Sequence, residues 1–555
     1  MKRKMIMTLN LLHLPARART VAEQIKAVVR LHQRGVVDLA RPDLVLRVAR
    51  DNKSYGPQAA LIMKAAAEHP DAPALSDERG VLTYRQLDRQ SNALANALLD
   101  SGLTPGSVIA VLARDHRGLL LTANAAGRAG LRLALMNTGF AKPQFAEVAA
   151  RENVRAVLHD GEFTDLLSAL PDTIPRYLTW VDADREPPAG SITIEELIAG
   201  GKHIPPPPPS RPGGFVILTS GTTGLPKGAP RTKVSPLASA LIVDRIPFPR
   251  RGAMVIVSPI FHTTGFGAWT VGLALANKVV LLRRFDAEAT LRAIQENKAE
   301  MLVAVPTMLN RILALGPETI GRYDTSSLRT VMVAGSALSP ELATRWQDTF
   351  GEVLYNLYGS TEVAVATVAQ PHELRQAAGT VGRPPVTSRI ALFDDEGHRI
   401  DTPNTKGRIF VRSGAPFEGY TDGRHKQIID GYMSTGDMGH FDSAGLLFVD
   451  GRDDDMIVSG GENVYPLEVE NLLVQREDVR DAAVIGVPDP DFGQRLRAFI
   501  VPAPDADPDA QAIRDYVKAN LARYKVPRDV VFIDELPRNA TGKVLRRELS
   551  NLPAS

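Results

Sequence analysis

Residues 220–228 read SGTTGLPKG and follow the apolar run Phe215-Val216-Ile217-Leu218, which ends at Thr219. A buried strand therefore delivers the chain into a loop of hydroxyls, glycines and one lysine. Gly221, Gly224 and Gly228 let backbone N–H groups converge on an anion. The hydroxyls of Thr219, Ser220, Thr222 and Thr223 add donors, and Lys227 adds a mobile positive charge. Such a loop is suited to wrapping phosphate. It is not a Walker loop, because Pro226 stands where that motif needs glycine before its lysine. Alone, the stretch also reads as a plain surface turn, so the rest of the chain has to decide.

A chain of 555 residues is too long for one hydrophobic core, and two or three domains are expected. Its 44% apolar and 23% charged residues are ordinary globular values. A net charge of +2 gives no reason to expect a nucleic-acid partner. The absence of cysteine excludes disulfides, thiolate catalysis and Cys-ligated metals. No stretch approaches the roughly 20 apolar residues of a membrane span.

Strand-length apolar runs alternate with helical segments: Val108–Leu112, Phe215–Leu218, Met254–Val257, Val279–Leu282, Met301–Val305 and Val331–Val333. That alternation predicts parallel sheets covered by helices. Thr83 and Gln86 predict a capping box at the start of a helix over Tyr84–Ser101. From about Arg389 short strands and polar turns take over, which suggests a small β subdomain over 389–452. After GRDDD at 451–455, Leu467–Val474 and Ala510–Arg523 read as helices. Ala482–Val487, Ala498–Val501 and Val530–Ile533 read as strands. The expected fold class is α/β: a large N-terminal domain of helix-covered sheets with a small β subdomain, over 61–452, and a small mobile α+β C-terminal domain over 453–555.

Residues 1–60 form an N-terminal extension. Within it Val21, Ile25, Val28, Val29 and His32 share one helical face, opposite Lys26, Arg30, Gln33 and Arg34. This basic amphipathic stretch, residues 21–50, reads either as a helix packed on the main body or as a peripheral contact with a membrane surface. Pro205–Pro209 is a stiff spacer.

Five further segments carry chemistry-bearing residues. SPIFHTTGF (258–266) puts Phe261, His262 and Phe266 after a strand, although His262 alone reads as a satisfied structural histidine. VAGSALSP (333–340) offers Gly335-Ser336-Ala337, where a flat ring can lie on backbone. NLYGSTEV (356–363) groups Tyr358, Gly359, Ser360, Thr361 and the carboxylate Glu362. An aromatic ring, hydroxyls and a carboxylate for Mg²⁺ are what a nucleotide reaction needs. STGDMG (434–439) places Asp437 in a tight turn, where it could accept from ribose hydroxyls or simply form an Asx turn. PRNATGKVLRREL (537–549) presents Lys543 after Thr541-Gly542.

In order and content these segments, with GRDDDMIVSGGENVYPLEVE (451–470), resemble the adenylate-forming superfamily: acyl-CoA synthetases, peptide-synthetase adenylation domains and firefly-type luciferases. The resemblance spans about residues 70–550. It implies ATP, Mg²⁺ and coenzyme A as co-substrates and a carboxylic acid as the small-molecule partner. ATP would lie between SGTTGLPKG and YGSTE, with Ser336 and Tyr358 bordering adenine. Asp437 and Arg452 would bind ribose, and Glu362 would hold Mg²⁺. Lys543 would bridge acyl carboxylate and α-phosphate. Asp454 matches the hinge, and Ser459, Gly460 and Gly461 match the lining of the pantetheine tunnel. Gly407-Arg408 and Tyr432 depart from the family pattern at positions without chemistry.

The start, MKRKMIMTLNLLHLPARA, has signal-peptide features, but Asn10 and His13 interrupt its apolar run and the implied chemistry needs cytoplasmic ATP. A cytoplasmic protein is expected, with residues 21–50 offering a peripheral contact at the inner membrane face as the alternative to packing on the body. His262 stands where amino-acid-activating members commonly carry a carboxylate, so the pocket looks wrong for an α-amine. GGENVYPLEVE resembles CoA-using members, and MNTGF (136–140) resembles bacterial fatty-acyl-CoA ligases. The sequence therefore points to an ATP-dependent ligase joining a medium- or long-chain fatty acid to CoA, with His262, Glu362 and Lys543 as catalytic candidates. The alternatives are a ligase that loads a carrier protein and a CoA ligase for an aryl or branched acid.

Overall fold

The apolar runs that lack polar alternation form parallel strands buried on both faces, as that pattern demands. In the computed structural model, which describes residues 14–182, 184–188, 190–219, 227–231, 238–415, 417–453, 455–459, 462–489 and 493–552, they fall into two large sheets. The first runs in the order Ile192–Thr193, Arg176–Trp180, Val154–Asp160, Val108–Leu112, Arg132–Leu135, Phe215–Thr219, Lys227–Arg231. All neighbours are parallel except the last pair, in which Thr219 faces Lys227. The second runs Ala364–Ala369, Leu354–Ser360, Thr330–Val333, Met301–Ala304, Ala253–Ile256, Lys278–Leu281, Pro73–Asp77, Gly80–Thr83. Its inner strands are parallel and both its edges antiparallel.

The two sheets share one core. Leu98 of helix Tyr84–Asp100, Leu120 of helix Arg117–Ala129 and Phe266 of helix Thr263–Ala274 are buried together with Ile217 and Ile256 from the sheets. The first of these helices starts with the expected capping box, Thr83 and Gln86 each bonding the other's backbone.

A third, antiparallel sheet of seven strands spans Thr380–Gly382 to Leu447–Arg452. It begins upstream of the expected residue 389; Thr380–Gly382 is too short to show an alternating pattern in the sequence. The smaller C-terminal domain builds a five-stranded sheet from Ile457–Ser459, Glu462–Val464, Val479–Asp489, Gly493–Pro502 and Asp529–Phe532. Helices Pro466–Leu473 and Ala510–Asn520 bury Val469, Leu473, Ile513 and Val517 in its core. The second helix stops at Asn520, short of the expected Arg523. Leu521 is extended, and Pro527 bars the residue before it from helical backbone.

The N-terminal helix Leu14–Gln33 packs on the body with a different face from the one its apolar count suggests. Ala27 and Leu31 are buried, at 0% and 1% exposure, against Ala240, Val243, Val271 and Leu275. Val21 and Ile25 stay exposed, at 52% and 59%. The small side chain of Ala27 lets the helix approach closely, and close fit decides the docked face. Among the described residues no helix is long and apolar enough to cross a membrane.

Candidate active site

Parallel strands end in loops at one edge of each sheet, and ligand crevices in α/β folds form there. Gly335-Ser336-Ala337 follows the strand Thr330–Val333, and His262 lies beyond the strand Ala253–Ile256. Tyr358, Gly359 and Ser360 end the strand Leu354–Ser360. Asp437 and Arg452 face each other on adjacent strands of the third sheet. The C-terminal domain contributes Lys543. All of these, with Lys227, Thr361 and Glu362, line one continuous cavity of about 2420 Å³.

Glu362 is 8% exposed. Burial alone would raise its pKa, but hydrogen bonds from Tyr420 and Ser360 and the charge of Lys426 hold it below the usual carboxylate value. The result is a buried, ionised oxygen donor. That suits a hard divalent cation such as Mg²⁺, which prefers carboxylate and phosphate oxygens. Lys227 sits 5.0 Å from the centre of the Tyr420 ring. Arg231 donates to the backbone oxygens of Thr361 and Glu362 and so anchors the loop that carries this carboxylate. Gly359 is required at the end of the strand ahead of it, because a Cβ there would meet the Ala364 carbonyl oxygen at 1.9 Å.

Asp437 accepts from the Tyr358 hydroxyl at 2.5 Å and lies 3.5 Å from Arg452. Burial pushes its pKa up, opposed first by Arg452, then by hydrogen bonds from Tyr358 and Thr435, and then by Lys543. A carboxylate held among two cations and two donors can accept from vicinal hydroxyls, as ribose recognition requires. The Tyr358 hydroxyl is spent on Asp437, which fixes its ring at the cavity wall.

His262 does not behave as a satisfied structural histidine. Its Nε2 is sealed from solvent with no hydrogen-bond partner among the described residues. Burial pushes its pKa down to about 4, so the ring is neutral. It packs on Phe261 with ring centres 4.5 Å apart. The loop ahead of it is pinned by Asp115, whose Oδ1 accepts from the Ile260 N–H at 2.9 Å. Full burial pushes the Asp115 pKa up to about 7.

Lys543 comes from a hairpin in which Asn539 and Lys543 exchange backbone and side-chain bonds. At its tip Gly542 has φ +77°, and a Cβ there would lie 2.6 Å from Oγ1 of Thr307 in the large domain. Neighbouring Thr541 approaches Gly335. The C-terminal domain is thus seated with its lysine in the site.

Ser220, Gly221, Thr222, Thr223, Gly224, Asp454, Gly460 and Gly461 lie outside the described residues, as does the Thr219 side chain. Ser459 is buried in the C-terminal sheet and is not part of the cavity wall. Tyr420, Arg231, Lys426 and Asp115 were not singled out from sequence. Only Tyr420 had a local signal, an aromatic in a glycine-rich turn beside Thr421 and Asp422.

A model of the AMP-binding enzyme family matches residues 62–421, and one of the AMP-binding enzyme C-terminal domain matches 468–543. The chain is 33% identical to an indoleacetate–CoA ligase of Aromatoleum aromaticum, over 89% of this chain and 97% of that one. It is 31% identical to a feruloyl-CoA synthase of Amycolatopsis, over 88% and 97%. An anthranilate CoA ligase solved with anthranoyl-AMP superposes with a TM-score of 0.81 at 25% identity, covering 90% of this chain and 98% of that one.

Proposed function

The chain belongs to the AMP-binding enzyme family, and from that premise we propose that it is an ATP-dependent acid–CoA ligase whose acid carries an aromatic ring. The acid's carboxylate oxygen attacks the α-phosphorus of ATP and pyrophosphate leaves, giving an acyl-AMP. The CoA sulfur then attacks the acyl carbon, and AMP leaves with the bonding electron pair.

The candidate residues divide the work. Lys543 neutralises charge as one anion approaches another, the kind of electrostatic help that is worth most in a water-poor site. Asp437 and Arg452 hold the ribose, and Tyr358 and Ser336 border the adenine. Glu362 would hold Mg²⁺, which screens the phosphate charge when bound. Lys227 and the hydroxyl loop at 219–224 cradle the phosphates. Between half-reactions the C-terminal domain, taken as 453–555, turns about Asp454 and brings Ser459, Gly460 and Gly461 toward the pantetheine arm.

The observation that carries the aromatic reading is the wall beside His262. Phe215 and Phe266 pack with centres 4.7 Å apart, and Phe266 meets Trp269 edge-on at 5.4 Å. Phe215, Ile217, Ile242, Phe266, Gly267 and Thr270 line the cavity there and carry no charge. Ring faces and a neutral imidazole favour a flat apolar acid over one with an ammonium or a second carboxylate. The relatives named for indoleacetate and ferulate support the same reading. The medium- or long-chain fatty acid expected from sequence is the weaker reading. AMP release with ATP and CoA tests the choice. Indoleacetic and cinnamic acids should exceed octanoic acid in kcat/KM by at least about tenfold, and parity would reject the aromatic assignment.

A further inference from the structure

The cavity does not end at the ring pocket. It follows the helix Thr263–Ala274 past Gly267, Thr270 and Ala274, a path of about 16 Å. A Cβ on Gly267 would touch only Ile242 Cδ1, at 3.5 Å, so this side of the helix is open. The far end is built by the helix Pro42–Tyr55 and the loop ahead of it, through Val36, Val37, Leu44, Val45 and Val48. All five are apolar and only half-buried.

Several polar groups along this arm are already engaged. The Thr270 hydroxyl donates to the Phe266 carbonyl at 2.8 Å and meets Gln58 at 3.3 Å. At the outer end Arg41 pairs with Asp43, Arg47 with Asp51 and Lys64 with Glu68. Nothing in these pairings selects a second charge. At the inner end stands His262, neutral, with its sealed Nε2 unpartnered among the described residues.

We propose that this arm holds the apolar end of the acid, and that the helix Pro42–Tyr55 is its far wall and sets how long an acid the site accepts. That helix precedes residue 62, where the family match begins, so the length limit is a property of this chain's own N-terminal segment. The proposal rests on the acid–CoA ligase reading. It gives residues 42–55 a substrate-measuring role in place of simple packing.

The test compares phenylacetic with phenyloctanoic acid on purified full-length protein, as the ratio of kcat/KM values for AMP release. Val48→Trp fills the far end and should lower the long-to-short ratio at least about tenfold, the scale of a few methylenes in an apolar pocket. Val48→Ala widens it and should raise the ratio. A ratio within about twofold of wild type in both variants, each with a melting temperature close to that of wild type, overturns the proposal; a folding defect in Val48→Trp shows in its melting temperature, and Val48→Ala then decides by its ratio alone. Failure of the ligase reading shows separately, as no AMP release from either acid by the wild type.

Discussion

Tyr420 donates its hydroxyl hydrogen to the Glu362 carboxylate while its ring faces the Lys227 ammonium. One side chain thus touches both the metal-binding candidate and the phosphate-binding candidate. Tyr420→Phe keeps the ring and removes the donor. The Glu362 pKa, held down by that bond, should rise, leaving less of it ionised in mild acid. The acid limb of the adenylation pH profile should therefore move to higher pH. The rate at neutral pH should fall about tenfold, the worth of one hydrogen bond to a charged group. Pyrophosphate release at saturating Mg²⁺ measures both, and an unmoved acid limb would show that the bond does not tune Glu362.

Lys543→Ala separates the half-reactions. Loss of one charge contact in a dry site is worth about a hundred- to a thousandfold in rate. That loss should fall on acyl-AMP formation and spare thioester formation from supplied acyl-AMP. Equal loss in both steps would mean that Lys543 acts mainly by seating the domain.

Asp115 gives a stability prediction with a definite sign. Its folded pKa, near 7, lies above the ordinary 3.8. The unfolded chain therefore loses the proton first as pH rises. The protein should lose stability progressively from about pH 4 to 7, by on the order of a few kcal/mol in full. Asp115→Asn keeps an oxygen for the Ile260 N–H and cannot ionise. Its melting temperature relative to wild type should climb across that window and level off above it. A difference that stays constant with pH would contradict the burial argument.

The residues legible in sequence were those whose chemistry dictates local composition. A loop proposed to wrap phosphate needs glycines, hydroxyls and a cation in one run, so SGTTGLPKG stands out as a candidate, and the strand before it is apolar without interruption. Tyr420, Arg231 and Asp115 act across 58, 130 and 145 residues of chain. No local pattern marks such partners. The N-terminal helix shows the same limit in packing. Counting apolar residues selects Val21 and Ile25, but the buried side is Ala27 and Leu31 because Ala240 and Leu275 happen to lie opposite. The acid's identity is hidden for a related reason, since Phe215, Ile242 and Phe266 meet only in three dimensions.

The narrow space between Gly542 and Thr307, too small for a Cβ, has a bearing on how fast this protein can work. If the C-terminal domain turns between half-reactions as proposed, every increment of strength added there would deepen the well it has to leave before a thiol reaches the acyl carbon. Turnover is then highest at an intermediate grip. A residue larger than glycine would loosen the seat, trading speed in the first step for speed in the second. Selection at this one tip can set which step limits the cycle without altering any group that touches substrate.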